Sequence, residues 1–526
     1  MRRPFFIILT GFIILTGILL VPQGRAQFGQ TDKFLPAAGI LRNSVTNLHA
    51  EGDRLWVGPF LNMTPDDGRT WFVADVDSLA ARRLNVYSLD VEGVFVWAGI
   101  GSSRMEDGQA ISSVDGYVFS TDGGATFTWR PSHLDDPDDA TEEYGVSVLP
   151  ALPIIAPEQS PPFDIDYVPG RDEVWIAAWA SGIRRSRDAG QTWERVVLPP
   201  DFLHAIHPDS SYDFFVSPVS REGMDGHLNH RGFSVLADQA GTMWAGTAGG
   251  VNRSYDGLAW RRFTADGTAF SLTGNWVTSI EEQPLPGGQN PKRNPIWMAT
   301  WPVNDPARQG PPEQYGVTVT RDGGETFEQM LLGEQVHDFA FRGSRTVYVA
   351  GENGLFVTRD GGVTWRTIRR FRDAEDPDRI VRPDLSVYSV ATTDAALWVG
   401  TSDGLMKSTD GGATWRIYRT DVPLHPDTPT DDRPDVDAYA YPNPFSPAND
   451  RFVRIRYDSD GGADRIRIFD FRMNLVRELA ANAGAGGERE VTWDGADHNG
   501  FRVANGVYFY AVVGGKAAHG KIQVLE

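Results

Sequence analysis

The 526-residue sequence predicts an all-β protein, a seven-bladed β-propeller followed by a small β-sandwich. Three observations predict this fold class. The chain contains 56 glycines, 34 prolines and 16 tryptophans, a composition typical of many short strands and tight turns. One turn motif recurs seven times, and the last ninety or so residues alternate short strands with turns. No cysteine is present, so the fold depends on packing rather than on disulfides, and thiol redox catalysis is excluded.

The first 26 residues have the pattern of a secretory signal peptide. Arg2 and Arg3 precede an apolar run over residues 5–21. The small residues Gly24 and Ala26 occupy positions −3 and −1 of a cleavage site predicted before Gln27. The alternative is an uncleaved membrane anchor, because the apolar run is nearly long enough to span a bilayer. No second spanning segment is predicted after signal removal.

The charge of the chain excludes some partners. The formal net charge is −21, and loss of Arg2, Arg3 and Arg25 with a signal peptide makes it −24. Such a chain repels nucleic acid and anionic lipid surfaces, so we expect neither as a ligand.

The repeated motif is Ser or Thr, any residue, Asp, any residue, Gly, any residue, Thr, then Trp or Phe. Complete copies occupy 64–71, 120–127, 186–193, 320–327, 358–365 and 408–415, and a degenerate copy at 254–260 lacks the threonine. The central aspartates are Asp66, Asp122, Asp188, Asp256, Asp322, Asp360 and Asp410.

An apolar strand with a large aromatic precedes every copy. These aromatics are Trp56, Trp97, Trp175, Trp244, Trp297, Tyr348 and Trp398. In the cleanest unit, 385–418, the pattern predicts strands at 386–391, 396–401, 404–408 and 414–418. Four antiparallel strands in about forty residues make one propeller blade, so the sequence predicts a propeller over 27–419.

The motif is interpreted as a folding device. Asp410 accepts backbone N–H groups, Gly412 adopts positive φ and Trp415 inserts into the core. Catalysis or metal binding by these aspartates is disfavoured, because they lie on separate blades and do not converge. The motif resembles the Asp-box, or bacterial neuraminidase repeat, of sialidases, sortilin-like receptors, xyloglucan-hydrolysing glycosidases and photosystem assembly propellers. The resemblance covers about 40–420 and implies the fold but not a function, since enzymes and binders share the box.

Surplus sequence is concentrated on one predicted face. Insertions lie at 99–116 and 301–316, and long connections lie at 131–162, 198–231 and 370–383. In an up-and-down blade all of these emerge opposite the Asp-box turns, which predicts that this face is the binding surface. Its candidate contacts, which stack on sugars or grip a peptide, are Trp179, Trp301, Tyr144, Tyr212 and Tyr315. The alternative is that each ring packs only against its own loop.

Metal sites are weakly suggested at two places. His204 with His207, and His227 with His230, have a spacing suited to zinc or copper. The acidic run 135–143 is suited to calcium. Ordinary loop histidines and a solvated acidic loop are the favoured readings, and no cofactor is predicted.

The C-terminal region follows a Pro- and Asp-rich linker at 420–437. Strands are predicted at 453–457, 465–470, 489–493 and 506–513, so 438–526 forms the sandwich. The segments 441–445 (YPNPF), 493–495 (WDG) and 506–510 (GVYFY), with the closing 520–524, resemble the immunoglobulin-like domain of flagellar hook-capping proteins and the type A sorting domain of type IX secretion. The resemblance implies a secretion machinery as partner and passage through the outer membrane. Asp494, Asp497 and Asn499 are read as a turn rather than a calcium loop.

The leading functional hypothesis is a non-catalytic recognition or scaffold propeller, secreted or on the cell surface, which binds a glycan or a protein. The alternative is a glycoside hydrolase acting on an extracellular polysaccharide, with Asp305 or Glu313 as its acids. The chain lacks the Phe-Arg-Ile-Pro segment of sialidases and has seven units where that family has six. No catalytic residue is therefore assigned.

Overall fold

The computed structural model describes residues 34–37, 39–74, 85–106, 109–285, 294–303, 314–375, 381, 385–419, 436–447, 452–481, 487–514 and 516–525. The predicted signal peptide, Asp305, Glu313 and the linker up to residue 435 lie outside this range. Strands, turns and irregular segments make up the described chain, apart from the short 3₁₀ helix Leu228–His230. Within it, no helix has the length and apolar character needed to cross a membrane.

Seven antiparallel sheets of four or five strands, and one separate two-stranded hairpin, occupy the described chain between residues 34 and 418. Sheet 1 contains β1 (Phe34–Ala37), β2 (Leu48–Glu51), β3 (Arg54–Val57), β4 (Asn62–Thr64) and β5 (Trp71–Ala74). Sheet 2 contains β6 (Asn85–Glu92), β7 (Phe95–Glu106), β8 (Gln109–Ser120) and β9 (Thr128–Arg130). A separate hairpin, β10 (Thr141–Tyr144) and β11 (Ser147–Pro150), follows. Sheet 3 contains β12 (Pro162–Val168), β13 (Glu173–Ala178), β14 (Gly182–Ser186) and β15 (Glu194–Arg195).

The remaining four sheets follow the same order. Sheet 4 contains β17 (Gly232–Ala237), β18 (Met243–Thr247), β19 (Gly250–Ser254) and β20 (Trp260–Phe263), with β16 (Ala205–Ile206) on its outer edge. Sheet 5 contains β21 (Trp276–Glu282), β22 (Ile296–Trp301), β23 (Gly316–Thr320) and β24 (Glu328–Met330). Sheet 6 contains β25 (Val336–Arg342), β26 (Thr346–Gly351), β27 (Gly354–Thr358) and β28 (Arg366–Ile368). Sheet 7 contains β29 (Val387–Thr392), β30 (Leu397–Thr401), β31 (Gly404–Ser408) and β32 (Arg416–Tyr418), within two residues of the predicted bounds.

The sheets are arranged in a closed ring. The first strand of each sheet packs on the first strand of the next, in the order β2, β6, β12, β17, β21, β25 and β29, and β29 packs back on β2. Two backbone hydrogen bonds reinforce this closure, Val45 N–H to Thr401 O (2.9 Å) and Gly404 N–H to Asn43 O (2.6 Å). Sheets packed face to face around an axis, with first strands innermost, form a β-propeller.

One contact between neighbouring sheets recurs around the ring. The large aromatic of each second strand is fully buried, from Trp56 to Trp398. At four junctions it contacts the aromatic that ends the turn motif of the next sheet, as Trp175 contacts Trp260 with ring centroids 6.4 Å apart. Burying one indole stabilises the fold by about 5 kcal/mol before entropy costs, at roughly 25 cal/mol per Å² over about 200 Å². The same slot therefore requires a large ring in every repeat.

The described residues of the insertion predicted at 99–116 form two antiparallel strands. β7 and β8 continue as a hairpin in which Ser102 opposes Ser113 and Glu106 opposes Gln109. The described residues of the insertion thus extend sheet 2.

The C-terminal domain consists of two sheets over a common core around Trp493. One sheet pairs β33 (Ala438–Tyr441), β34 (Val453–Ser459) and β37 (Gly487–Trp493). The other pairs β35 (Arg465–Phe469), β36 (Leu475–Ala480), β38 (Gly506–Val513) and β39 (Ala518–Val524). The four predicted strands are present, and β33 and β36 were missed because short, flanking strands carry little alternation.

A buried polar network joins this domain to sheet 7. Asp403 accepts hydrogen bonds from Arg419 (2.9 Å) and from Arg454 (2.6 Å). Glu490 pairs with the same two guanidiniums (2.9 and 3.1 Å) and accepts the Tyr441 hydroxyl (2.6 Å). Asp403 and both arginines are each less than a tenth exposed. The network places the C-terminal domain against the second-to-third strand loop of sheet 7.

Candidate functional site

The strand order gives the propeller two distinct ends. Each sheet runs up and down, so the loop from second to third strand and the connection to the next sheet share one end, here called the mouth end. The turn between third and fourth strands, which carries the repeated aspartate, lies at the other end, here called the box end. The first strands run from the mouth end towards the box end.

A β-bulge recurs near the start of the first strand in six of the seven sheets. The pairing register skips one residue there, and the skipped residues are Tyr87, Phe163, Phe233, Thr278, His337 and Tyr388. A bulge re-aims the residue that it leaves unpaired. Four of the six residues are Phe or Tyr, placed at the mouth end of the innermost strands.

These residues contribute to a continuous band of rings at the mouth end. Trp179 lies with its centroid 5.2 Å from Phe233 and 5.4 Å from Trp276. Trp276 is paired directly with Trp301 across β21 and β22, and Trp301 packs edge-on against His337 at 5.2 Å. The band, here called the aromatic arc, crosses sheets 3 to 7 and comprises Phe163, Trp179, Phe233, Trp276, Trp301, His337 and Tyr388.

The arc is open to solvent in part. Phe163 is 40% exposed, and the other members are half-buried. Arg231 stacks on the Trp179 ring at 4.6 Å from its centroid, and the Trp301 indole donates to Val336 O at 2.5 Å. These contacts fix the orientation of the rings and leave an apolar surface at the mouth.

Carboxylates from the first strands converge on the axis below the arc. These channel carboxylates are Asp90, Asp164, Asp166, Glu281 and Asp338, all half-buried. Asp164 accepts the Val235 N–H (2.9 Å), Asp338 accepts the Val390 N–H (2.9 Å) and Asp90 accepts the Tyr167 N–H (2.8 Å), each from the next sheet. The carboxylates thereby satisfy N–H groups on the inner edges of the sheets.

Burial and mutual repulsion raise the pKa values of these groups. Burial raises the pKa of Asp164 and of Asp338 to about 7, and it raises the pKa of Asp166 and Glu281 well above the usual range. The neighbouring charge of Asp338 adds to the effect at Glu281, from a different sheet. The channel is therefore an acidic site whose ionisation is incomplete near neutral pH.

The seven repeated aspartates lie at the box end, and their carboxylate oxygens accept hydrogen bonds from residues of their own turns. In every copy Oδ1 accepts the hydroxyl of the preceding Ser or Thr together with backbone N–H groups. In Asp410 these bonds come from Ser408 (2.7 Å) and Thr414 N–H (2.9 Å), while Oδ2 accepts the Thr414 hydroxyl (2.7 Å). The Thr414 hydroxyl holds the pKa of Asp410 below its usual value. Only Asp256 lacks the Oδ2 bond, because its copy has no threonine.

The predicted binding residues divide into two groups. Trp179 and Trp301 belong to the aromatic arc, and Tyr315 lies just before β23 at the same end, half-buried. Tyr144 and Tyr212 do not lie there, contrary to the prediction. Tyr144 is 5% exposed, donates to Leu258 O in the turn motif of sheet 4 (2.9 Å) and packs against Tyr212.

The reason for this error is the course of the long connections. Residues 131–162 and 198–231 leave the mouth end but return along the outer edge of the ring, where β16 adds to β20. Their apolar side chains join the core of sheets 3 and 4. Tyr144 and Tyr212 therefore pack against each other, and Tyr144 also bonds to the turn motif of sheet 4.

One histidine of each pair, His207 and His230, makes side-chain hydrogen bonds in the described chain. His204 and His207 are exposed on the outer edge, whereas His227 and His230 are buried. His230 accepts the Ser217 N–H (3.1 Å) and contacts Leu198 O (3.0 Å), and burial lowers its pKa to about 4. Among the described residues, no three His, Asp or Glu side chains are placed to share a metal ion.

Carboxylates of the two acidic segments, 135–143 and 494–499, also bond to other groups of the protein. Asp135 binds Arg184 and Arg195, both 2.5 Å away, and although burial raises its pKa these pairs lower it to about 2. In the C-terminal domain Asp497 accepts the N–H groups of Asn499 and Phe501, each at 2.9 Å. The latter bonds agree with the predicted turn.

Sequence reasoning missed Phe163, Phe233, Trp276, His337, Tyr388 and the channel carboxylates. A signal for several of them is present in the sequence. A ring is followed directly by Ser or Asp at 87–88, 163–164, 233–234, 337–338 and 388–389, once per sheet. The ring lies at the bulge and the polar residue faces the next sheet, as Ser234 does in donating to Val277 O at 3.2 Å.

Comparisons with known proteins identify the C-terminal domain. Residues 449–518 match the FlgD Ig-like domain, so this part of the chain is an Ig-like domain of that type. No curated protein matches the chain.

Several solved structures resemble the chain at low identity. One is PorZ of Porphyromonas gingivalis, described as a surface component of its type-IX secretion system, with 16% identity over 92% of this chain and 66% of that chain, at a TM-score of 0.42. A GH74 enzyme of Niastella koreensis shares 12% identity over 94% of this chain and 75% of that chain, at 0.46. YCF48 from Cyanidioschyzon merolae shares 16% identity over 71% of this chain and 98% of that chain, at 0.41.

Proposed function

We propose that this chain is an exported, non-catalytic recognition propeller, secreted or displayed on the cell surface, which binds a glycan or a protein through its mouth end. The observation that carries the proposal is the aromatic arc. Partly exposed rings contributed by five consecutive sheets form an extended apolar surface, and such rings stack on sugars or pack against peptide side chains. A surface of this kind is uncommon on a chain that has no partner.

The proposal assigns the repeated aspartates a structural role in seven blades. Their oxygens are engaged by hydroxyl and N–H groups of their own turns, from Asp66 to Asp410. A ligand at the box end would have to break these bonds. We therefore place recognition at the opposite end and regard the seven sheets as the complete ring.

A glycoside hydrolase is the second candidate, because of the channel carboxylates. Glycosidic cleavage needs a carboxylic acid that is still protonated near neutral pH and a second carboxylate nearby. Asp164 and Asp338, whose pKa values are about 7, have the first property. Each also holds an N–H of the next sheet, which favours a structural use of the group.

A binding and turnover experiment separates these candidates. The full chain is tested against glycan and peptide arrays, with reducing-sugar detection on polysaccharides. We expect binding without turnover, lost in Trp276→Ala and Trp301→Ala and retained in Tyr255→Ala, an exposed aromatic at the box end. Turnover abolished by Asp164→Asn would establish the hydrolase, and binding unaffected by both arc variants would refute recognition at the mouth.

For export, we propose that the Ig-like domain directs the chain to a secretion machinery at the outer membrane. The support is the match of residues 449–518 to the FlgD Ig-like domain together with the signal-like N-terminus. Deleting residues 438–526 in the native host should trap the propeller in the periplasm, as measured by protease accessibility on intact cells. Unchanged surface display of the truncated chain would remove this part of the proposal.

A further inference from the structure

The aromatic arc lies directly above the channel carboxylates. Phe163 is followed at once by Asp164, and His337 by Asp338. A strand advances about 3.3 Å per residue, so the first carboxylates lie one step below the rings. Asp90, Asp166 and Glu281 lie two residues deeper along their strands. A long side chain of a ligand that lies across the rings is therefore long enough to reach the carboxylates.

The negative charge of this channel has little compensation from the strands that form it. Across the seven first strands, Arg342 is the one lysine or arginine. It lies at the box end of β25, where it donates to Thr393 O and Ala396 O (3.0 Å each). His49 approaches Asp90 with 3.9 Å between Nδ1 and Oδ1. A cation entering from the mouth would supply what the inner strands lack.

The arc itself already accommodates one cationic group. The Arg231 guanidinium lies 4.6 Å from the centroid of the Trp179 ring. The faces of indole and phenol rings attract cations, and lysine and arginine stems pack well on apolar surfaces. Rings over carboxylates thus match both parts of a basic side chain.

We propose that the partner recognised at the mouth end is a basic peptide segment, with a lysine or arginine stem lying on the aromatic arc and its charged head directed to Asp164 and Asp338. This inference rests on the proposed recognition function and narrows its ligand. The net charge of −21 on the chain favours encounter with such a partner at low ionic strength. Neutral glycans match the rings but leave the carboxylates without a counter-charge.

The test measures binding of labelled eight-residue peptides to the full chain by fluorescence anisotropy. The probes are alternating Lys-Ser, Gln-Ser and Glu-Ser peptides, together with a neutral cello-oligosaccharide. We expect the Lys-Ser peptide to bind at least tenfold more tightly than the other three. Asp164→Asn and Asp338→Asn should each weaken its binding about tenfold, and Trp276→Ala should weaken it similarly. Asp138→Asn, an exposed carboxylate outside the channel, is the matched control and should have no effect.

The possible outcomes separate the two proposals. If the Gln-Ser peptide or the oligosaccharide binds as tightly and Trp276→Ala alone abolishes binding, the mouth is a binding surface but its ligand is not cationic. If Lys-Ser binding responds to Asp138→Asn as strongly as to Asp164→Asn, the attraction is non-specific and the inference fails. If no probe depends on Trp276, both proposals fail. Glu281→Gln replaces Asp164→Asn where circular dichroism shows that the latter is unfolded.

Discussion

Trp71 of the first sheet packs edge-on against Trp398 of the seventh, with ring centroids 6.1 Å apart and an interplanar angle of 88°. The two residues are separated by more than three hundred positions in the chain, yet their contact repeats the one that joins Trp175 to Trp260 in adjacent sheets. The joint between the chain ends is therefore built like the other joints of the ring.

Replacing Trp398 tests the strength of this joint. Trp398 is fully buried, so Trp398→Ala leaves a large cavity and should lower the free energy of unfolding by about 3–5 kcal/mol. Urea unfolding followed by far-ultraviolet circular dichroism measures the change. Tyr255→Ala, an exposed aromatic, should change the same quantity by less than about 0.5 kcal/mol; an equal loss in both variants would contradict the special role of the joint.

Two adjacent glycines in the second repeat test the close approach between sheets. Gly123 and Gly124 both have positive φ (75° and 88°), so alanine at either position is strained by about 1–2 kcal/mol. A Cβ on Gly124 would overlap the Trp56 ring, whereas one on Gly123 meets the flexible end of Arg54 at 3.3 Å. Gly124→Ala should therefore lower the melting temperature clearly more than Gly123→Ala. Equal melting temperatures of the two variants would show that the contact between sheets 1 and 2 adjusts to the added Cβ without loss of stability.

The channel carboxylates predict how stability depends on pH. Because the pKa of Asp164 and Asp338 is raised to about 7 in the folded chain, against an ordinary value near 4 in the unfolded chain, the folded state binds more protons between these values. Their contribution to stability is full below about pH 4 and is lost as the pH rises through 7. This contribution alone should lower the melting temperature from pH 5 to pH 8, whereas the lowered pKa values of the buried His133 and His230 act in the opposite direction below about pH 6.5.

The aspartate variant provides the control for this pH effect. Asp164→Asn cannot ionise, so its melting temperature should change less between pH 5 and pH 8 than that of the parent chain. Differential scanning calorimetry in buffers of constant ionic strength measures both profiles. Parallel profiles in parent and variant would contradict the assignment of the pH dependence to the channel.

The network between sheet 7 and the Ig-like domain predicts a firm attachment of the two. Glu490→Gln removes the charge of a half-buried carboxylate that pairs with the buried Arg419 and Arg454, and breaking such a pair costs at most about 3–5 kcal/mol. Limited proteolysis should then separate the propeller from the Ig-like domain at a higher rate in the variant than in the parent chain. Glu478→Gln, whose exposed pairs with Arg465 and Arg467 lie within the domain, should leave the rate unchanged. Similar rates in both variants would show that the network does not hold the domains together.

The repeat was predictable from the sequence because one packing slot must be filled in every sheet. Each repeat has a buried aromatic on its second strand, as at Trp97 and Trp244, and an aspartate turn before its fourth strand. The two features therefore recur in the same order along the sequence. The bulge residues such as Phe233 were harder to recognise, because their function arises from a break in the strand register. The fold of the long connections was not predictable, since Tyr144 is positioned by Leu258, 114 residues away.

The make-up of sheet 1 bears on how the ring is completed during folding. All five of its strands come from residues 34–74, and sheet 7 likewise takes its four from residues 387–418. Neither sheet takes a strand from the other end of the described propeller, so each is complete within its own segment. Ring closure therefore joins two preformed surfaces, and Trp71 and Val45 stay exposed until sheet 7 folds against them.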